Sequence, residues 1–178
     1  MAKLITICGA TGGVGGSVAR RFLKDGWNVR AITRNTESAA AKTLAEQGAQ
    51  LTSANYDDVA SLEKAFQESN VIFGLTNIFE YLLDKTPEDA AVRERQQLVN
   101  IATAANAISS LEHLVLHTLP AGEKLNKGTF VPHFDGKDQA ADIIKETLPS
   151  LAQKTTFFWI GFFSTNFHQF PMMKPTEL

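Results

Sequence analysis

The run Leu4-Ile5-Thr6-Ile7-Cys8-Gly9-Ala10-Thr11-Gly12-Gly13-Val14-Gly15-Gly16 constrains this chain more than any other stretch. An apolar, β-branched segment passes straight into a glycine-rich turn. The turn passes into Ser17-Val18-Ala19-Arg20-Arg21-Phe22-Leu23, whose apolar positions 18, 19, 22 and 23 have helical spacing. Strand, glycine turn and helix in that order are the context in which a glycine pattern predicts a phosphate site. The glycines stand at 9, 12 and 15, a G-x-x-G-x-x-G spacing. Gly9 permits a tight exit from the strand, Gly12 lets the backbone approach a pyrophosphate, and Gly15 removes a side chain where helix and strand pack. The helix start then offers free N–H groups and a partial positive charge to an anion. The pattern therefore predicts a dinucleotide held by Gly9, Thr11, Gly12, Gly13, Val14 and Gly15.

The rest of the chain repeats the alternation. Strands are expected at 28–33, 49–54, 70–76, 112–118 and 155–160, with helices at 37–47, 59–67, 86–107 and 138–148. Gly48 is expected to stop the second helix, and Asp57 or Asp58 to cap the third. Thr86-Pro87-Glu88-Asp89 has the proline and early acids of a helix start. In the helix that follows, Val92, Leu98, Val99, Ile101, Ala102 and Ala105 are expected to face inward. Arg93, Glu94 and Arg95 are expected to form a solvated face. Strands alternating with helices predict an α/β fold, a doubly wound parallel sheet of the Rossmann type with helices on both faces. The 178 residues suit one domain.

Arg34 ends the second strand, where an NAD-binding fold places an acid for the adenosine ribose hydroxyls. A guanidinium can instead fork onto a 2′-phosphate, so Arg34 favours NADP(H) over NAD(H). Thr76 and Asn77, after the fourth strand, are expected along the path from adenosine to nicotinamide.

Net charge is −2 with no basic run, which argues against direct nucleic-acid or membrane-surface binding. No apolar stretch reaches the length of a membrane span, and the N-terminus lacks signal-peptide anatomy. A cytoplasmic protein is expected. The single cysteine, Cys8, is expected to be a small core residue. His113, His117, His133 and His168 lack the spacing of a zinc site, so no metal is expected.

Taken together, these residues resemble the NmrA-like family, atypical members of the short-chain dehydrogenase/reductase superfamily. The resemblance runs from Leu4 to about Phe167. It rests on the glycine run, on Arg34 and on Asn55-Tyr56-Asp57-Asp58. Val131-Pro132-His133-Phe134-Asp135-Gly136-Lys137 and Gly161-Phe162-Phe163-Ser164-Thr165-Asn166-Phe167 complete it. It implies a fold that prefers NADP(H), and one of two functions. Some members reduce quinones or other carbonyl compounds. Others are non-catalytic sensors of the nicotinamide pool that bind regulatory proteins, including transcription factors, which opens the nucleus as a second location.

The resemblance also implies that Lys137 holds the nicotinamide ribose, and that Thr118 or His117 matches the superfamily's serine. Catalytic members of the superfamily place a proton-donating tyrosine four residues before that lysine, and His133 stands there instead. Imidazole can act as an acid near neutrality, but a lysine beside it disfavours the imidazolium. His133 is either that acid or a histidine that simply packs. If the protein is an enzyme, Lys137, His133 and Thr118 are its candidate catalytic residues. Family members are normally much longer, the additional part carrying most of a substrate-binding lobe.

Residues 157–170 hold six of the twelve phenylalanines together with Trp159. That is more apolar surface than a tail should expose. This segment, 161–178 in particular, either folds back as core or forms an interface, with a further lobe or with a second copy in a homodimer; an interface is the expectation.

Overall fold

The structure is a computed structural model that describes residues 2–125, 127–161, 163 and 166–169. The strands are β1 (Leu4–Ile7), β2 (Asn28–Ile32), β3 (Gln50–Thr52), β4 (Val71–Gly74), β5 (His113–Thr118) and β6 (Thr155–Trp159). Between and after them run α1 (Gly13–Lys24), α2 (Ala39–Glu46), α3 (Val59–Phe66), α4 (Pro87–Asn106) and α5 (Gly122–Leu125). They are followed by α6 (Pro132–Thr147), α7 (Pro149–Ala152) and α8 (Asn166–Gln169). A single 3₁₀ turn, Ile78–Glu80, follows β4.

All six strands form one sheet in the order β3-β2-β1-β4-β5-β6, and every pairing is parallel. The chain begins in the centre, winds outward through β2 and β3, then crosses back to β4. The order therefore reverses between β1 and β4, the place where doubly wound sheets open a crevice beyond their strand ends. The expected fold class is the observed one.

Side chains alternate across the sheet and build a core on each face. Ile5, Ile7, Val29, Ala31 and Phe73 pack with Ala19 of α1 and Leu44 of α2. Ile72, Leu114 and Leu116 pack with Leu62 and Phe66 of α3, Leu98 and Ile101 of α4, and Ile144 of α6. Thr6, fully buried in the central strand, pairs its hydroxyl with that of Ser69 at 2.6 Å. Cys8 lies just past β1, fully buried in the second core, and burial pushes its thiol up to about 12.

Several boundaries differ from expectation for identifiable reasons. α1 begins at Gly13 rather than Ser17, so the glycine turn itself enters the helix. α6 begins at Pro132 rather than Asp138, which puts Val131-Pro132-His133-Phe134-Asp135-Gly136-Lys137 at a helix start and not in a loop. Proline at the first helical position costs no hydrogen bond, and Asp135 stabilises the start by accepting from Val131 N and Glu123 N at 2.6 and 2.9 Å. Asp58, not Asp57, caps α3, accepting from Ala60 N and Ser61 N. In α4, Val92 faces solvent at 53% exposure, while Glu94 is fully buried, the reverse of both expectations.

Of the aromatic segment, Phe157 packs against the core, whereas Phe158 and Trp159 are exposed on β6, a strand at the edge of the sheet among the described residues. Phe163 and Phe167 are exposed as well. Phe162 and Phe170, and the expectation of an interface across 161–178 as a whole, lie largely outside the described residues.

Candidate functional site

The glycine turn is a tightly bonded cup at the C-terminal end of β1. Gly9 adopts φ +61°, a conformation that favours glycine. Its carbonyl accepts from Gly12 N at 2.9 Å, and its own N–H donates to the Tyr56 hydroxyl at 2.9 Å. Gly12 is the N-cap of α1 and contributes no side chain to it; its carbonyl accepts from Gly16 N. A Cβ on Gly15 would stand 2.7 Å from the Gly9 carbonyl carbon and 2.8 Å from the Cys8 oxygen, so helix and turn touch backbone to backbone there. At Gly13, by contrast, no other described part of the protein lies within 4 Å of where a Cβ would be, its chain neighbours and the backbone of its own helix aside. Val14 packs on the first core, and Thr11 is exposed, lining a hollow of about 250 Å³ with Ala40, Thr43 and Leu44 of α2. The first turn of α1 carries no acidic residue, so no carboxylate of its own first turn offsets the positive end of the helix.

A second group lies beyond the ends of β4 and β5. Lys137, in the second turn of α6, donates to Glu94 Oε1 at 2.6 Å and to Thr76 Oγ1 at 3.0 Å. The Thr76 hydroxyl in turn donates to the same Glu94 oxygen at 3.0 Å. All three side chains are buried, with Lys137 at 3% and Glu94 at 0% exposure. Burial lowers the Lys137 pKa, and the Glu94 carboxylate only partly opposes it. Glu94 Oε2, both His117 ring nitrogens and Thr118 Oγ1 are buried and find no hydrogen-bond partner among the described residues. Burial, reinforced by the Lys137 ammonium, drops the His117 pKa to about 4.

His133 stands half-buried in the first turn of α6, edge-on to Phe134 with ring centroids 4.7 Å apart. Burial lowers its pKa as well. The Glu94 and Asp135 carboxylates pull the other way, and the Lys137 ammonium adds to the lowering. Its imidazole is therefore biased toward the neutral form.

Arg34 and Asn77 belong to a third cluster. Arg34 forks onto Glu80 of the 3₁₀ turn, with Nη1 to Oε2 at 2.6 Å and Nη2 to Oε1 at 2.9 Å. Asn77 caps that turn by accepting from Phe79 N, and its amide reaches Glu80 Oε1 at 3.4 Å. The predicted residues thus fall into three sets, the glycine cup, the buried Lys137–Thr76 group and the Arg34–Asn77 cluster. β1, β2, β4 and β5 bring all three to one end of the sheet.

Three residues that touch these sets were not among the predicted site residues: Tyr56, Glu80 and Glu94. Glu94 carried a signal. Ala90, Ala91, Gln97, Leu98, Ile101, Ala104 and Ala105 are all buried, and position 94 lies in that three-and-four spacing. Its neighbours diverge from it: Arg93 pairs with Asp57 at 2.7 Å, and Arg95 bonds Gln139.

Comparison with known proteins agrees with this architecture. The chain is 35% identical over 146 residues to the NmrA-like family domain-containing oxidoreductase himF of Aspergillus japonicus; that match takes in 79% of this chain and 42% of himF. Among solved structures it resembles NmrA, a negative transcriptional regulator, in complexes with NADP and with NAD. Both superpose with a TM-score of 0.76, at 20% and 19% identity, over 93% of this chain and 47% of NmrA. It also resembles the Citrobacter sp. triphenylmethane reductase complexed with NADP(H), with a TM-score of 0.68 and 21% identity over 93% of this chain and 51% of the reductase. At such identities the structural likeness is one of fold. This chain spans about half or less of the length of the relatives it matches. The NmrA-like family matches residues 1–178, and the chain belongs to that family.

Proposed function

We propose that these residues form one NADP(H)-binding domain that senses the nicotinamide pool and acts through protein partners, in the cytoplasm or the nucleus. The residues fit the cofactor. The cup at Gly9–Gly15 has backbone contact where a side chain would intrude and open space at Gly13, so the amides of Gly13 and Val14 would hold the pyrophosphate, with Gly12 letting the backbone approach it. Arg34 would take the 2′-phosphate, Thr76 and Asn77 would flank the path between the two ends, and Thr118 and Lys137 would face the nicotinamide. That NmrA was crystallised with NADP and with NAD, and the triphenylmethane reductase with NADP(H), supports a nicotinamide dinucleotide here.

The observation that carries the sensor reading is the closed triangle of Lys137, Thr76 and Glu94. Two of the three ammonium protons are committed inside the protein, and the residue four positions earlier is an imidazole biased to neutrality. A carbonyl reductase needs a proton donor beside the developing alkoxide, and this pair is poorly suited to supply one.

A second reading, an NADPH-dependent quinone or carbonyl reductase, is favoured by the Thr118 hydroxyl and the His117 ring nitrogens, buried without a hydrogen-bond partner among the described residues, and by the oxidoreductase names of its relatives. A bound NADPH would supply a hydride; Thr118 would orient the acceptor oxygen, and Lys137 and His133 would handle the proton. Nicotinamide fluorescence separates the two. NADPH is mixed with excess protein, then challenged with a simple quinone and with aldehydes. A fluorescence change that persists supports the sensor, and decay faster than in the absence of protein establishes the reductase. Absence of any change, confirmed by calorimetry, overturns cofactor binding itself.

A further inference from the structure

We infer that Glu80 sets how strongly this site distinguishes NADP(H) from NAD(H), by occupying the Arg34 guanidinium as a 2′-phosphate would. The inference rests on the proposed dinucleotide site. Arg34 follows β2 and Glu80 follows β4, and these two strands flank β1. A direct bond between the two residues therefore spans the end of β1, where the glycine cup begins.

The bond is a two-pronged one, with parallel N–H···O contacts of 2.6 and 2.9 Å. This is the geometry by which a guanidinium recognises a planar carboxylate or a phosphate face. The two partners are held unequally. Glu80 closes a turn anchored by Ile78, which is 3% exposed and packs on Ala90 and Ala91 of α4. The Arg34 side chain is 75% exposed. A 2′-phosphate must therefore either displace a carboxylate that stays nearby, repelling it, or share the fork with it. A ribose bearing only a 2′-hydroxyl pays neither cost. Arg34 thus confers less NADP(H) preference than an unengaged arginine would, and Glu80 is the residue that tempers it.

The test is calorimetric titration of the whole chain with NADP⁺ and with NAD⁺, for the wild type, Glu80→Gln, Arg34→Gln and the double variant. Both side chains are partly exposed, so folding is expected to survive. Glu80→Gln should tighten NADP⁺ binding about three- to tenfold, the range set by one exposed but bidentate ion pair, and leave NAD⁺ within about twofold of the wild type. In the Arg34→Gln background the same change should no longer affect NADP⁺. Unchanged NADP⁺ affinity in Glu80→Gln overturns the inference. So does an equal gain without Arg34, which would reflect general removal of negative charge. So does loss of NAD⁺ affinity alone, which would make Glu80 a ribose acceptor. A wild type that binds neither dinucleotide removes the proposed function and this inference with it. A wild type that binds both, with Glu80→Gln moving neither, removes this inference alone.

Discussion

Glu94 and Lys137 form an ion pair inside the protein, 2.6 Å apart, with side chains 0% and 4% exposed. Such a pair is a weak source of net stability, yet breaking it from one side is costly, because the remaining charge stays buried without a counter-charge. Glu94→Ala is therefore expected to lose about 3–5 kcal/mol of unfolding free energy. Glu94→Leu combined with Lys137→Met should recover most of that. Urea denaturation at pH 7 measures both, and equal losses in the single and double variants would show that the two residues do not act as a unit. The deficit of Glu94→Ala should also shrink on raising the pH toward the ordinary lysine value. The Lys137 pKa is already lowered in the folded state, so the unfolded chain holds the extra proton and stability rises with pH there.

His117 supplies a pH dependence of the same sign at lower pH. Its folded pKa, about 4, lies below the ordinary value of 6.5. Above pH 6.5 both states are neutral and the His117 contribution is fully present. As the pH falls, the unfolded chain takes up the proton first, and the contribution is lost between pH 6.5 and about 4. The loss should be roughly 2 kcal/mol once discounted for partial exposure. Unfolding curves at pH 7, 6, 5 and 4 should show it, and His117→Asn should flatten that slope. If the wild type and His117→Asn fall in parallel, the pH dependence belongs to other groups.

The fold could be read from the chain because its signals are local and agree with one another. The apolar run 4–8, Gly48 at φ +102° and the Thr86-Pro87 helix start all do what their neighbours in sequence require. The candidate site was less legible for a physical reason. Arg34 and Lys137 could be singled out one at a time, but their partners Glu80 and Glu94 stand 46 and 43 positions away. Only the closed sheet brings them together. Glu94 shows the limit well. Between two arginines its charge suggested a solvated face, while its spacing placed it on the buried stripe, and the stripe prevailed because Lys137 was there to neutralise it. The helix α6 starts at Pro132, before the expected Asp138, because proline suits a first helical position, even though Gly136 is a poor residue for a helix interior. In the structure Gly136 packs on Ala91 of α4, where a Cβ would come within 3.2 Å of the alanine methyl group.

The glycine cup predicts a contrast between two nearby positions. Gly15→Ala forces a methyl group against the Gly9 and Cys8 carbonyls, which are backbone and cannot swing aside. It should cost about 1–3 kcal/mol, as other overpacked sites do, and should abolish nucleotide binding by displacing the cup. Gly13→Ala meets open space in the first helical turn and should be neutral to slightly stabilising, by up to about 1 kcal/mol. Thermal unfolding of the two variants measures the difference directly. Equal destabilisation would mean that helix and turn do not touch as described.

Tyr56 links the cup to the chain after β3. Its hydroxyl accepts the Gly9 N–H at 2.9 Å and lies against Cys8, whose thiol is held at about 12 mainly by burial. Removing the hydroxyl leaves a backbone donor without its acceptor at the residue that turns the strand, which should cost about 1–2 kcal/mol. Tyr56→Phe should therefore loosen the cup before it unfolds the protein. Cys8 provides a reporter, because a buried, protonated thiol reacts only when the structure around it opens. At pH 8 the wild type should resist a thiol reagent such as a disulfide dye, and Tyr56→Phe should be labelled several-fold faster while retaining its far-ultraviolet circular dichroism. Dinucleotide affinity should fall in the same variant, since a looser cup must be ordered on binding. If affinity rises instead, the freed Gly9 N–H is itself a phosphate donor, and Tyr56 restrains the site rather than preparing it.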